Sequence, residues 1–437
     1  MSKILVAGAG HGGLVAAARL AGAGFDVTVI EKGKEGKQGH DWEDRFTFKI
    51  LCDALGIPES GLGADIWRYR GDCAFVSPAK RKKVIINYTD ENRQRIMWRK
   101  PLMGMLIENA VKSGVKFVYE TEILSPLTQG SRVTGLRTDK GDYDADLVID
   151  AAGVFSPVRS NLPASFGIEK EPKEGDVFYA YRAYFDKAED VNPEVPFEVY
   201  MYHEGEKGLS WFNTIGDCCD VLIGRIFPLT DEKINEQLAI FGKDHPWLGD
   251  KILHGGCRAV IPVRRPLTLM VADGYAAVGD SAFMTTPMNG MGIDLSILAG
   301  GMLADTLIEK ADFSAENLWN YNRNFHALYG GDTAKNEGLK NAILSLPSEG
   351  VDFLFENEVI QSSDLAGAGK NMNFGVLLGK LKRGMRSPGF FFALIKGLVA
   401  GSGACKLYKS APENYSPAQI RAWSGKIAKK DIAVKSE

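Results

Sequence analysis

Two glycine-rich stretches and one short polar-aromatic run hold the side chains with chemical potential in this 437-residue chain. The first stretch, GAGHGG at 8–13, has the G-x-G-x-x-G spacing. In that pattern Gly8 permits a tight turn, Gly10 lets the backbone approach a pyrophosphate, and Gly13 lets a helix pack closely on a strand. Amides opening the helix that follows would hold the phosphate charge. Glu31, which ends the next apolar run, is placed to accept hydrogen bonds from ribose hydroxyls. The second stretch, GDSAFMTTPMNGMG, starts at Gly279 and Asp280, far downstream. If both turns grip one ligand, that ligand is long. Between them lies His40-Asp41-Trp42, a titratable imidazole, a carboxylate able to orient it and a flat aromatic wall, with Asp44 and Arg45 close behind. Two roles are open for this run. Either His40 or Asp41 donates a proton or polarises a carbonyl, or Asp41 and Asp44 start a helix as its cap while Arg45 meets a phosphate.

The elements that must position these residues are legible from the pattern of apolar side chains. KILVA (3–7) reads as a buried parallel strand, Leu14 to Ala23 as a helix, and DVTVI (26–30) as the next strand. Pro101 to Ser113 carries a helical pattern, and DYDADLVIDAAG (142–153) reads as a strand returning to the first unit. Alternating aromatic runs between 177 and 227 (VFYAYRAYF, FEVYMYH, LSWFNTI, VLIGRIF) predict an antiparallel sheet that roofs a pocket. Trp211, Phe212, Tyr179, Tyr181 and Tyr184 are its candidate lining. A strand at YAAV, the glycine-rich turn and a long helix follow, and from about 310 the chain is mostly helical.

Composition narrows the class. Hydrophobic residues make up 45% and charged residues 24%, with mean hydropathy near zero, as in ordinary globular chains. A net charge of -3 gives no footing for nucleic acid. The six cysteines are dispersed without metal-ligand spacing, which reads as reduced thiols in a cytoplasmic protein and no metal site. Near the C-terminus, PGFFFALIKGLVAGSG is interrupted by Lys396 and reads as too short to span a bilayer. With the basic residues before it, the stretch suits a helix resting on a membrane surface, or one packed on the main body.

The combination of IPVRRPL before the second turn, GDSAF at it and a proline with glycines after it resembles the geranylgeranyl reductase family. These are FAD enzymes of the p-hydroxybenzoate hydroxylase fold. The resemblance continues through FSPVRSNLP (155–163) and, more loosely, DFSAENLWNYNRNF. It implies an α/β architecture in which a Rossmann-like FAD-binding domain (1–70, 95–175 and 255–310) interleaves with an antiparallel-sheet substrate domain (71–94 and 176–254), followed by a helical region (311–437). It also implies that both turns grip one extended FAD. Asp280, with Gly279, would lie on the ribityl chain, Pro287, Gly290 and Gly292 around the flavin ring and pyrophosphate, and Arg99 and Arg45 beside the cofactor. His40, Asp41 and Trp42 would then sit near the isoalloxazine, with Trp211 in the substrate pocket.

The implied activity is reduction of carbon-carbon double bonds in a hydrophobic, isoprenoid-like or lipid substrate, at or near a membrane, with NAD(P)H or ferredoxin as the candidate electron donor. A monooxygenase of the same fold, and a flavin- or lipid-binding or electron-transfer protein without turnover, are the alternatives. Many hydroxylases of this fold carry Ala-Asp-Gly where this chain has Ala151, Ala152 and Gly153. Archaeal geranylgeranyl reductases often carry Lys-Pro-Cys-Gly where this chain has KQGHDWEDRF, and their aromatic YxWxFP motif is represented mainly by Trp211.

Overall fold

The computed structural model describes residues 1–89, 93–366, 380 and 383–429. Its centre is a six-stranded sheet ordered Val271–Ala272, Tyr275–Ala277, Leu147–Asp150, Lys3–Ala7, Asp26–Ile30 and Lys116–Val118. All pairs are parallel except the outermost hairpin. Ile4 lies between Val27 and Leu147 in register, and these side chains are buried. Continuous apolar runs suit strands covered on both faces. Helices His11–Gly22, Arg99–Lys112 and Ile293–Glu309 pack here. The first and third touch so closely that a Cβ on Gly300 would strike the Gly12 carbonyl.

A seven-stranded sheet forms the second layer, ordered Leu248–Pro262, Val177–Lys187, Cys218–Arg225, Gly208–Ile215, Phe197–Met201, Cys73–Val76 and Lys83–Ile86. Alternation divides its side chains between two faces. Phe185, Phe212, Val221 and Ile223 pack on one face against Phe241 of helix Asp231–Asp244. Arg182, Tyr184, Trp211 and Asp220 occupy the other. The proposed aromatic pocket is therefore split: Trp211 and Tyr184 share the second face, while Phe212 and Tyr181 belong to the first. Tyr179 packs against the core of the central sheet. A small sheet of Glu43–Arg45, Arg95–Trp98 and Trp67–Tyr69 lies at the junction.

Two expectations are corrected here. Asp41 and Asp44 do not open a helix: residues 43–45 form a strand, and the helix Phe48–Leu55 begins after Thr47. The Thr47 hydroxyl is drawn off to Asp294 (2.7 Å) rather than capping that helix. The C-terminal apolar stretch is also not short. It forms the 22-residue helix Pro388–Lys409, long and apolar enough by length and composition to cross a membrane, although 28% of its most apolar window is buried. Lys396 lies on the exposed side. On the inner side Gly397 and Gly401 meet helix Gly331–Leu344 so tightly that a Cβ on Gly338 would sit 2.6 Å from the Gly401 Cα.

Candidate functional site

Between strand Lys3–Ala7 and its helix, the chain turns at Gly8 with φ +83°, which a side chain would strain. A Cβ on Gly10 would sit 2.8 Å from the Ala151 carbonyl oxygen, and one on Gly13 would sit 2.5 Å from the Ala151 Cβ. Glycine is thus required by close approach to the neighbouring strand's end. The helix starts at Gly10 with no side-chain cap and no acidic residue in its first turn, so its positive end is left for an anion. Glu31 braces the turn from the other side, accepting from the amides of Ala9 (2.9 Å) and Gly33 (2.7 Å).

Ser296, in the first turn of helix Ile293–Glu309, joins the two glycine-rich segments. Its Oγ accepts from the Gly12 amide (3.0 Å) and would lie 2.6 Å from a Cβ on Gly279. Asp280 is held by the Thr285 hydroxyl (2.9 Å), and burial raises its carboxyl above the ordinary value against that bond. Gly292 abuts Thr285, Gly290 turns back to Thr286, and Pro287 is buried between them. Three of the sequence motifs meet on Phe283. The guanidinium of Arg159 from FSPVRS lies 4.4 Å from its ring centroid and that of Arg264 from IPVRRPL lies 4.7 Å away. Phe283 itself is left-handed at φ +56°, a conformation bulky residues adopt only when their surroundings enforce it. Arg159 also donates to the Ser281 carbonyl (2.6 Å).

Arg99 begins its helix and forms a two-toothed pair with Asp44, the Nη2 contact being 2.8 Å. Close by, burial and then Arg99 push His11 down to about 3 and His40 to about 4, so both imidazoles are neutral. His11 Nε2 is sealed from solvent without a hydrogen-bond partner. A buried donor or acceptor left unmade costs about 1–3 kcal/mol, so this atom calls for a ligand group. The uncapped helix, the Cβ-free turn and this orphan nitrogen together fit a dinucleotide cofactor.

His40 stacks on Trp42 (4.2 Å, 21°) and meets the Cys257 thiol, Sγ to Nδ1 3.6 Å. Burial pushes that thiol up, so it remains S–H against the neutral ring, donating to Nδ1 in the tautomer that carries its proton on Nε2. Asp41 turns the other way, to Lys100 (2.9 Å) and His254 (3.3 Å). Burial would raise its carboxyl, but those two bonds more than reverse this and hold it ionised. Trp211 donates to Asp220 (3.2 Å), which also pairs with Arg182 through two 2.8 Å contacts. Arg45 is not brought to the Arg99–Asp44 pair. Alternation along strand 43–45 sends it toward Gln94 and Arg70.

The sequence reading passed over Ser296, Cys257, His254, Arg182 and Asp220. Arg182 and Asp220 are single charges inside aromatic and aliphatic strand runs, a pattern that signals a buried pair. HGGC breaks strand alternation, and Gly255 and Gly256 are left-handed (φ +73° and +68°), forming the bulge that aims Cys257.

The FAD binding domain family matches residues 1–239. The chain belongs to that family. It is 22% identical to digeranylgeranylglycerophospholipid reductase of Sulfolobus acidocaldarius across 97% of this chain and 96% of that one. The enzyme of the same name from Methanothrix thermoacetophila is 25% identical, with coverage of 83% and 92%. A geranylgeranyl bacteriochlorophyll reductase-like protein from Thermoplasma acidophilum shares the fold with a TM-score of 0.71 at 20% identity, across 91% of this chain and 99% of that one. The chain is an FAD-dependent oxidoreductase, similar over most of its length to enzymes named as digeranylgeranylglycerophospholipid reductases.

Proposed function

We propose that this flavoprotein reduces carbon-carbon double bonds of an isoprenoid lipid. The observation that supports this most directly is the His40–Cys257 pair on an aromatic wall beside the two joined turns. Bound FAD, once reduced, supplies a hydride from N5. Residues 8–13, Glu31, Gly279, Asp280, Pro287, Gly290, Gly292 and Arg99 hold the cofactor in this reading. The remaining requirement is a proton for the second alkene carbon, in a site closed to water.

His40 is neutral and Asp41 ionised, so neither is itself a strong acid at neutral pH. Together His40 and Cys257 can pass a proton. The Nε2–H bond of His40 breaks as the substrate C–H bond forms, Nδ1 takes the thiol proton, and the Cys257 thiolate takes up a solvent proton after the product leaves and the site reopens. Trp42 and Trp211 line the path of the chain being reduced. Ala152, where hydroxylases of this fold carry aspartate, is consistent with a donor other than NAD(P)H, and ferredoxin is the alternative partner. The exposed side of helix Pro388–Lys409, with Phe392, Val399 and Lys396, is the surface from which a lipid would enter.

The test is anaerobic. Holoprotein reduced with dithionite is mixed with geranylgeraniol, prenylated phospholipids, enones or quinones, and the return of the oxidised flavin spectrum is followed. Reoxidation by prenyl lipids with a saturated product supports the reading. Reoxidation only by oxygen, or only by quinones, overturns it. In the reactive case His40→Ala and Cys257→Ala each slow the step by about 100-fold or more, and the double variant is no slower than either single one, because the two act as a unit.

A further inference from the structure

Asp41 turns away from His40 and Cys257, yet it touches the segments that carry both. It follows His40 in sequence, and its carboxylate reaches Lys100 (2.9 Å) on one side and His254 (3.3 Å), three residues before Cys257, on the other. The His254 ring is set against Trp98 (ring centroids 4.8 Å) and edge-on to Tyr184 (6.2 Å). One carboxylate thus ties loop 39–42 to the start of helix Arg99–Lys112 and to strand Leu248–Pro262. The helix side has a second tie, from the Arg99 amide to the Trp42 carbonyl (2.8 Å). On the strand side Asp41 is joined by the thiol contact itself, and a thiol is a weak donor. Both segments turn on glycine: Gly39 has φ +88°, and Gly255 and Gly256 stand between His254 and Cys257 at +73° and +68°.

The Asp41 charge also reaches the thiol. Burial first and the Asp41 carboxylate second raise Cys257 above the ordinary thiol value, while Arg99 opposes them. His40, neutral, faces the thiol from the loop, and Tyr181 and Arg182 face it from the neighbouring strand, Arg182 in register with Cys257. The side chains of Lys100, Asp41 and His254 are 54%, 34% and 45% exposed, and ion pairs in such surroundings add little to stability. The consequence of this contact is therefore for geometry and charge at the thiol rather than for the fold.

We infer that Asp41 is the positioning residue of this site: its carboxylate holds the His40 loop against the strand of Cys257 and so sets the approach of thiol to imidazole. Its negative charge also opposes loss of the thiol proton before that proton is needed. This reassigns Asp41 from proton donor to a group that acts through Cys257. The kinetic consequence rests on the proposed reductase function; the hold on the thiol does not.

Two measurements on FAD-loaded protein test this. In the first, oxidised protein without substrate is alkylated with iodoacetamide across pH. The rate at Cys257 is read from its own peptide by mass spectrometry, with Cys405 as the internal control. Asp41→Asn lowers the midpoint of the Cys257 pH–rate curve by about half a unit or more, because the thiolate no longer faces a carboxylate, and Asp41→Glu keeps it. His254→Phe, which keeps a ring against Trp98 but removes the hydrogen bond, speeds Cys257 by about 3-fold or more with that midpoint unmoved. An unmoved midpoint in Asp41→Asn, an unchanged rate in His254→Phe, or an equal acceleration at Cys405 overturns the inference. In the second, reduced protein is reoxidised by geranylgeraniol or a prenylated phospholipid. Asp41→Asn lowers kcat by about 10-fold with KM within about 2-fold of the parent, and Asp41→Asn/Cys257→Ala is no slower than Cys257→Ala alone. A double variant slower than Cys257→Ala means that Asp41 acts on the reacting atoms directly, and overturns the positioning role. If neither lipid reoxidises the flavin while the alkylation rates change as expected, the reductase reading fails and the hold of Asp41 on Cys257 stands.

Discussion

Asp220→Asn is the most exposing perturbation of the site's framework. Asp220 is 2% exposed and Arg182 9%, and the carboxylate holds Arg182 through two 2.8 Å contacts while accepting from Trp211. Arg182 in turn donates to the Glu43 carbonyl and the Tyr184 hydroxyl, each at 2.6 Å, so it ties the seven-stranded sheet to strand 43–45. Asparagine keeps the shape but removes the charge and turns one acceptor into a donor. A guanidinium is then left desolvated among rings. Opposite charges about 4 Å apart attract by about 4 kcal/mol at an effective dielectric of about 20. Breaking a buried pair from one side costs about 3–5 kcal/mol in general, and the two figures agree. With a urea dependence of about 3 kcal/mol per molar, the midpoint of the tryptophan-fluorescence transition falls by about 1 M or more. The double variant Arg182→Met/Asp220→Leu, which removes both charges, returns to within about 1 kcal/mol of the parent. A midpoint shift below about 0.3 M for the single variant would refute the argument, as would a double variant no better than the single one.

Replacing Gly10 or Gly13 by valine drives a side chain into Ala151 and yields colourless protein with intact far-ultraviolet dichroism; retained flavin absorbance contradicts the close-approach argument. His203 is 1% exposed, neither ring nitrogen has a hydrogen-bond partner, and burial, then Lys80 and Arg225, hold it at about 3. The unfolded chain therefore binds a proton below about pH 6.5 that the folded chain refuses, and stability is lost as pH falls from there toward 3. His203→Phe is expected to stabilise by about 1 kcal/mol at pH 7. Its advantage grows by up to about 1.4 kcal/mol per pH unit toward pH 4, as read by urea titrations across pH, and parallel curves would contradict this. Finally, Phe392→Glu with Val399→Glu abolishes flotation with anionic vesicles while leaving FAD bound; flotation equal to the parent removes the membrane-facing role of that helix.

Much of this architecture is legible in the chain because local constraints act there alone. Strand Asp26–Ile30 coincides with DVTVI, and the turn at 8–13 declares itself through three glycines, Gly8 by its positive φ and Gly10 and Gly13 by close approach to Ala151. The run at 40–45 misleads because its helix-start signature is genuine in isolation. The strand Arg95–Trp98, more than fifty residues later, supplies pairing partners that override it. Cys257 and His40 are 217 positions apart, and nothing local to either one announces the other. The carboxyl-terminal helix was underestimated for a different reason. Lys396 breaks a hydropathy run but not a helix, and it is exposed while Gly397 and Gly401 are buried.

The order of strands in the central sheet has a consequence for how the molecule comes into being. Leu147–Asp150 receives its outer neighbour from Tyr275–Ala277, and Ser296 arrives later still. During synthesis the growing chain thus displays an unclosed sheet edge for well over a hundred residues and cannot capture its prosthetic group until most of the polypeptide has left the ribosome. Products of premature termination before that point would emerge without the prosthetic group and with an open sheet edge, so pigmentation of the cell extract reports only chains that extend beyond it.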